Sequence, residues 1–331
     1  MTSGQRYWKL LITTGNKLKI YFNRPIKNEA WGGGAHFITS FCEYLSEKDY
    51  KVVFQLEPGI DVIFMFDPRP HLGGDCVNSI YRYIIQNPNT KVIQRINDTD
   101  KARPGDPPWR DNLLLESNRI ADSTIFISEW VRDYYVNLGF DKRKENTVII
   151  NGCKEAWYFS DKNKRIDNSK INLITHHWSD NFMKGLDVYN FIDDLVSKND
   201  NITFTYMGRY NKSFNHKNTN IISPKYGPEI GEILRSADIY VTGARWEACG
   251  MHHIEAARCG LPVLYHRDGG GVTEVCKNHG IEFSNLKEFK EKLEIMIKNY
   301  DNIRSNIDYN FLSSLRCFKE YENAICKSTS E

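Results

Sequence analysis

Glu247 and Glu255 stand eight residues apart on either side of Cys249-Gly250, in a stretch (244–274) that reads ARWEACGMHHIEAARCGLPVLYHRDGGGVTE. A helix starting near Met251 would leave the backbone N–H groups of its first turn unpaired. Cys249, Gly250, Met251 and His252 lie at that end, which suits a phosphate. Glu247, in the loop before the helix, and Glu255, about one turn inside it, offer carboxylates to a neutral, hydroxyl-rich ligand. The apolar strand 262–265 follows, then Gly269-Gly270-Gly271, where missing side chains let backbone amides approach a ligand. Two phosphate-friendly loops around one helix and one buried strand describe a nucleotide site at the carboxyl edge of a parallel sheet.

Taken in order, these features resemble the signature of glycosyltransferase family four, retaining sugar transferases of the GT-B fold. The matching elements are Glu247, Glu255, Cys259-Gly260-Leu261-Pro262-Val263, Gly269-Gly270 and Glu274. Glutamates at this spacing arise by chance in any acidic helix, and an ordinary strand–helix–strand unit with solvated glutamates is the plain alternative. The full ordered set is what makes the match specific. The resemblance runs from about Leu18 to Phe318, strongest over 238–275 and thin over 60–120.

The resemblance implies two Rossmann-like domains facing a cleft, with a carboxyl-terminal helix crossing back to the first. It also implies transfer of a sugar from a nucleotide diphosphate sugar (UDP-, GDP- or ADP-linked) to a hydroxyl of a glycan, lipid or small molecule. Configuration would be retained, with no cofactor and no required metal. Glu247 would contact the sugar near its reacting face, and Glu255 the ribose. Lys184, the helix end at 249–252 and the loop 269–271 would hold the diphosphate. Family members commonly place an arginine about five residues before a Lys-Gly. Lys184-Gly185 supplies the lysine, but Ser179 stands where the arginine belongs, with Arg209 as candidate substitute. The base would rest against 223–227, including Tyr226. Gly33 and Gly34 match the amino-terminal loop beneath the diphosphate; in isolation that loop reads equally as a tight βα turn. Relatives use a histidine near 95–98 to touch the sugar, and here Arg95, Asn97 and Asp98 are the candidates. A GT-B epimerase, or an inactive sugar-nucleotide-binding subunit, is the alternative, the second kept open by Ser179. A pyridoxal-binding lysine motif, the mark of a phosphorylase, is missing.

Strand–helix alternation supplies the frame for these residues. Strands are expected at 19–23, 51–55, 61–66, 91–96, 121–128 and 147–150, with a further one at 7–13. Helical patterns run through Phe37, Phe41, Tyr44 and Leu45, over 77–86, and over 129–138. The loop 100–111, rich in proline, glycine and charge, reads as mobile and acceptor-binding. After Asn151-Gly152 the alternation repeats, with strands at 170–175, 202–207, 220–222, 238–241, 262–265 and 281–283. Amphipathic helices follow at 287–300 and 311–326. This divides the chain into an acceptor domain (1–152), a linker (153–169), a nucleotide-sugar domain (170–306) and a closing helical segment (307–331).

Composition fits this frame. At 331 residues the chain can bury two cores, and a net charge of +2 gives no basis for nucleic-acid binding. No stretch reaches the ~20 apolar residues of a membrane span, and the start offers only a short apolar run without a cleavage site. Eight cysteines without a Cys-x-x-Cys read as reduced, buried thiols. A cytoplasmic protein, at most peripheral at a membrane, is expected. The pairs His176-His177 and His252-His253 invite a metal. Adjacent side chains diverge, however, and no Asp-x-Asp run adds carboxylates, so hydrogen bonding to sugar or phosphate is the expected role.

Overall fold

The computed structural model describes residues 18–26, 33–69, 75–161, 164–167 and 169–329. The strand expected at 7–13, and Trp31-Gly32 of the first glycine loop, lie outside them. Among the described residues are two parallel sheets of six strands each.

The first sheet is built from β1 (Lys19–Phe22), α1 (Gly33–Glu47), β2 (Lys51–Val53), β3 (Val62–Met65), α2 (Val77–Gln86), β4 (Lys91–Ile96), α3 (Arg110–Ser117), β5 (Ser123–Phe126), α4 (Glu129–Asn137) and β6 (Glu145–Val148). Its strand order is β2-β1-β3-β4-β5-β6. β3 reads VIFM and is buried at every position, as a strand covered by helices on both faces must be. α1 packs Phe37, Ile38, Phe41, Tyr44 and Leu45 inward, one helical stripe.

The second sheet follows with β7 (Ile171–His177), α5 (Leu186–Val196), β8 (Ile202–Gly208), β9 (Asn220–Ile222), α6 (Pro228–Ser236), β10 (Ile239–Thr242), α7 (His252–Arg258), β11 (Val263–His266), α8 (Gly271–Cys276) and β12 (Gly280–Phe283). The order β12-β11-β10-β7-β8-β9 is that of a doubly wound parallel sheet. α9 (Leu286–Lys298) and α10 (Tyr300–Ser305) lead to α11 (Ser314–Ser328). The Ser313 hydroxyl caps α11 by accepting from the Arg316 amide. This last helix returns to the first domain, where Cys317, Phe318, Tyr321 and Ile325 join Phe37, Phe41 and Phe64 in one core. The Tyr321 ring lies 4.8 Å from that of Phe37, and Phe318 lies 5.4 Å from Phe41. Burying such a side chain contributes about 1.5–3 kcal/mol, enough to hold the crossing helix in place.

A second core runs through the floor between the domains, joining Phe126, Ile127 and Val131 to Ala248, Cys249 and Ile254. Polar latches sit beside it. The Ser128 hydroxyl donates to the Ala248 carbonyl at 2.5 Å, and Asn151 Nδ2 donates to the Cys249 carbonyl at 2.8 Å. Glu274, the last element of the signature stretch, accepts the backbone N–H groups of Glu129 and Trp130 at 2.9 and 2.5 Å. Its carboxylate thus caps α4 of the other domain, where negative charge is favoured.

The region 100–111 is laced by side-chain hydrogen bonds. The Thr99 hydroxyl accepts from the Ala102 amide to cap a short turn, and Arg110 bonds Asp100 and Asp106. Tyr134 and Tyr135 both donate to Asp111, at 2.5 and 2.9 Å. α3 begins inside this region and was not legible in the sequence, because its leucines are adjacent (113–115) rather than helically spaced. None of the eight cysteines is in a disulfide, and seven are buried. Among the described residues no helix is long and apolar enough to cross a membrane.

Candidate active site

In the second sheet the chain reverses direction between β7 and β10, and the loops leaving those strands part to open a crevice. The loop after β7 ends in a short turn, Phe182–Lys184, closed by Gly185 at φ 108°. A Cβ on Gly185 would lie 2.6 Å from the Cα of Gly243, so only glycine lets this turn press against the loop after β10. That approach brings Lys184 to Glu247, and Nζ and Oε2 form an ion pair. Both side chains stay partly exposed, so the pair contributes at most about 1 kcal/mol to stability. Its significance is the placement of a cation and a carboxylate at one point of the cleft. Gly250 leaves room for that carboxylate: a Cβ there would sit 2.9 Å from Glu247 Oε1.

The glycine loop differs from the sequence expectation. Gly269 and Gly270 do not line the cleft; they lie behind the loop that carries Glu247. The Glu247 amide donates to the Gly269 carbonyl at 3.2 Å, and the Gly271 amide donates to the Glu247 carbonyl at 2.8 Å. A Cβ on Gly270 would meet that same carbonyl oxygen at 2.5 Å. The Gly269 amide is taken by the His266 carbonyl. These glycines therefore prop Glu247, and their amides at 269 and 271 are not available to a diphosphate.

Glu255 lies one turn into α7, buried, and His176 Nε2 sits 2.7 Å from its Oε2. An ionised carboxylate only accepts, so Nε2 carries the proton. Around this pair the histidines form a buried group. His177 Nε2 is 2.6 Å from the Tyr189 hydroxyl, His252 Nδ1 is 3.0 Å from that of Tyr240, and the His177 and His252 rings are 4.7 Å apart. Burial pushes His177 and His252 well below the usual imidazole range, and His253 down to about 3. All three are neutral at pH 7, so they donate or accept hydrogen bonds without adding positive charge. Among the described residues no group of three His, Cys, Asp or Glu is placed to hold a metal ion.

The crevice continues into the first domain as a cleft of about 480 Å³. It gathers Lys184, Glu247 and Glu255 with Gly250, Met251 and His252 at the start of α7. Gly33 and Gly34, at the start of α1, face this end. A Cβ on Gly33 would lie 2.5 Å from Met251 Cγ, so two helix N-termini meet across the cleft. Ser179 lines the cleft, its hydroxyl accepting from the Asn181 amide at 3.2 Å. Arg209, exposed after β8, also reaches the cleft, and among the described residues its guanidinium makes no hydrogen bond or ion pair. Cys249 touches the cleft, but burial pushes its thiol up to about 12, which removes it as a nucleophile. Tyr226 is not part of the wall; it stacks at 5.1 Å on His36, which is.

The three acceptor candidates separate. Arg95 is a buried strut, donating from Nε to the Tyr321 hydroxyl and from Nη2 to Asn151 Oδ1, both at 2.9 Å, over the Phe37 and Phe66 rings. Asn97 and Asp98 stand in the cleft wall, and Asp98 lies 3.3 Å from Arg103 and 3.7 Å from Arg69. Sequence reasoning missed Arg24, Arg69, Arg103, Trp178 and Arg245 as wall residues. For Arg24 and Arg69 a signal existed: each follows the carboxyl end of a strand, β1 and β3. Two other hollows, of about 590 and 770 Å³, lie along β6 and beside Arg258 and Tyr309, away from both sets of strand ends.

Residues 191–311, from within α5 to just short of α11, match the family model for glycosyl transferases group 1. Solved structures extend the likeness to the whole fold. HepE from Anabaena, in complex with UDP-glucose, aligns with a TM-score of 0.67 at 14% identity, over 94% of this chain and 100% of that one. A glycosyltransferase from Rickettsia africae ESF-5 gives 0.67 at 13% identity, over 95% and 99%. Sucrose-phosphate synthase from Thermosynechococcus elongatus gives 0.65 at 11% identity, over 94% and 100%. No curated protein sequence matches the chain. The fold is thus GT-B, and residues 191–311 of its second half match the glycosyl transferases group 1 model.

Proposed function

We propose that this protein transfers a sugar from a nucleotide diphosphate sugar to an acceptor hydroxyl with retention of configuration. One observation carries the reading: Lys184, Glu247, Glu255 and the start of α7 converge in one cleft at the switch point of a doubly wound sheet. A diphosphate placed there meets Lys184, the exposed cation of Arg209 and the first-turn amides of α7. Fixed positive charge at the leaving group is usually the largest electrostatic contribution to such a step. Glu247, held by Lys184, positions the sugar. Glu255, held by His176 with the Tyr158 hydroxyl beside it, is the group for the ribose diol. Tyr226 and the loop around it remain the candidate rest for the base. Retention follows the family resemblance. UDP-sugars are the first donors to test, because the Anabaena neighbour is described in complex with UDP-glucose.

We extend the proposal to activity without a metal, since Lys184 and Arg209 supply positive charge in the cleft, Arg245 being bound to Asp187. The test combines calorimetric titration of UDP with a donor-hydrolysis and transfer assay in EDTA. Binding with turnover in EDTA is the expected result. Binding without turnover at any metal concentration would assign an inactive sugar-nucleotide binder, and turnover restored only by Mn²⁺ would refute metal independence.

A further inference from the structure

The first sheet has a switch point of its own. In the order β2-β1-β3-β4-β5-β6 the chain reverses between β1 and β3, and those strands run on to Arg24 and to Asp67-Pro68-Arg69. Ligands of open α/β sheets settle at such a point, and this one opens into the same cleft as Lys184 and Glu247.

The wall is cationic. Arg24, Arg69, Arg95 and Arg103 line it, with Asp98 as the carboxylate among them. Asp67, buried immediately behind, accepts from Arg24 Nη1 at 2.9 Å and from Arg69 Nε at 2.7 Å. That makes four guanidiniums against two carboxylates. Arg110, set back from the cleft, reaches Asp98 at 3.9 Å and is otherwise taken up by Asp100 at 3.2 Å and Asp106 at 2.9 Å. Asp111, also set back, is occupied by Tyr134 and Tyr135. In the wall Arg103 Nε has no hydrogen-bond partner, on a side chain that is itself over one-third exposed. Such a donor is costly to leave unpaired, and a ligand with oxygen acceptors would satisfy it.

A donor diphosphate does not account for this charge, because Lys184, Arg209 and the start of α7 sit on the opposite wall. Resting on the transferase reading above, we propose that the acceptor carries a phosphate or carboxylate near its reacting hydroxyl, bound by Arg24, Arg69 and Arg103. The loop bearing Arg103 is tied to the donor half: Asn181 Nδ2 donates to the Ala102 carbonyl at 2.8 Å, and Lys101 lies 5.0 Å over the Trp246 ring. Anion and donor therefore share one chamber. Guanidinium forks match carboxylate and phosphate oxygens and stay charged at every working pH.

The experiment is calorimetric titration of the UDP-saturated protein with glucose 6-phosphate, glucuronate and glucose. At least one anion should bind tenfold or more tightly than glucose, and which of the two does so separates phosphate from carboxylate. Arg24→Gln and Arg103→Gln should each cut that anion affinity at least fivefold while changing UDP affinity by less than twofold. Arg103 is over one-third exposed, so its variant should fold. Equal binding of glucose, failure of both anions to bind, or wild-type anion affinity in both variants would overturn the proposal. Failure of the transferase reading looks different: the wild-type protein would not bind UDP, or would bind it and show no turnover in the transfer assay.

Discussion

The two halves of the cleft hold charge in different ways. On the donor side the charged groups are few and each is held by a specific neighbour: Glu255 by the buried His176, Glu247 by Lys184 and a glycine-propped loop. On the acceptor side a lattice of arginines and aspartates is spread over the ends of β1, β3 and β4. The donor half joins one helix start, one turn and one strand end through single pairings between residues 63 and 79 apart in the chain. The acceptor half is a branched network, in which Asp67 serves Arg24 and Arg69 and Asp98 serves Arg69 and Arg103.

Removing Glu247 should separate the halves most sharply. Glu247→Gln is expected to lower kcat by about 10²–10³, as loss of one transition-state contact does. Donor KM should barely change, and steady-state kinetics with a UDP-sugar checks it. A KM effect with unchanged kcat would move Glu247 out of the reacting region.

Lys184→Ala comes next. A charge-assisted contact to a phosphate is worth on the order of 1.5–3 kcal/mol, so UDP affinity should fall by that amount in a titration. Unchanged affinity would reduce Lys184 to a partner of Glu247 alone.

Acid should weaken the donor half before the acceptor half. Burial holds His253 down to about 3 and His279 down to about 4, with His177 and His252 also well lowered. The unfolded chain, with histidines near 6.5, takes up protons first as pH falls. Their contribution is therefore complete above about pH 6.5 and is lost towards pH 4, at about 1.4 kcal/mol per pH unit per histidine. Urea unfolding at pH 7.5 and 5.5 should show the lower stability at 5.5. Equal stability would mean that these imidazoles are hydrated in the folded state.

Arg209→Ala should give the smallest change. The side chain is exposed, so UDP binding should weaken by only about 0.5–1 kcal/mol. A loss as large as that of Lys184→Ala would make Arg209 a full replacement for the arginine that Ser179 lacks.

The contrast also explains what the sequence could reveal. Glu247, Glu255 and Lys184 could be named from local patterns, because each sits next to a glycine or helix start that fixes its neighbourhood. Strand positions followed from alternation, and β4 matches its expected bounds. The glycine loop misled, since glycines that let backbones touch look the same in sequence as glycines that cradle a phosphate. Arg24 and Arg69 carried only the weak signal of following a strand's carboxyl end, and Arg103 carried none. Sheet order, with β1 beside β3 and β3 beside β4, brings them together. Glu274 matched a motif, yet its place at the start of α4 depends on how two domains meet.

The central claim is that Glu255 reads the nucleotide while Glu247 serves the sugar. Calorimetric titration of free UDP into wild type, Glu255→Gln and Glu247→Gln tests it most directly. Glu255→Gln should lose about tenfold or more in affinity, a charge-assisted hydrogen bond to the ribose being worth on the order of 1.5–3 kcal/mol. Glu247→Gln should stay within about twofold of wild type. The reverse result, with UDP affinity lost in Glu247→Gln and kept in Glu255→Gln, would contradict the account.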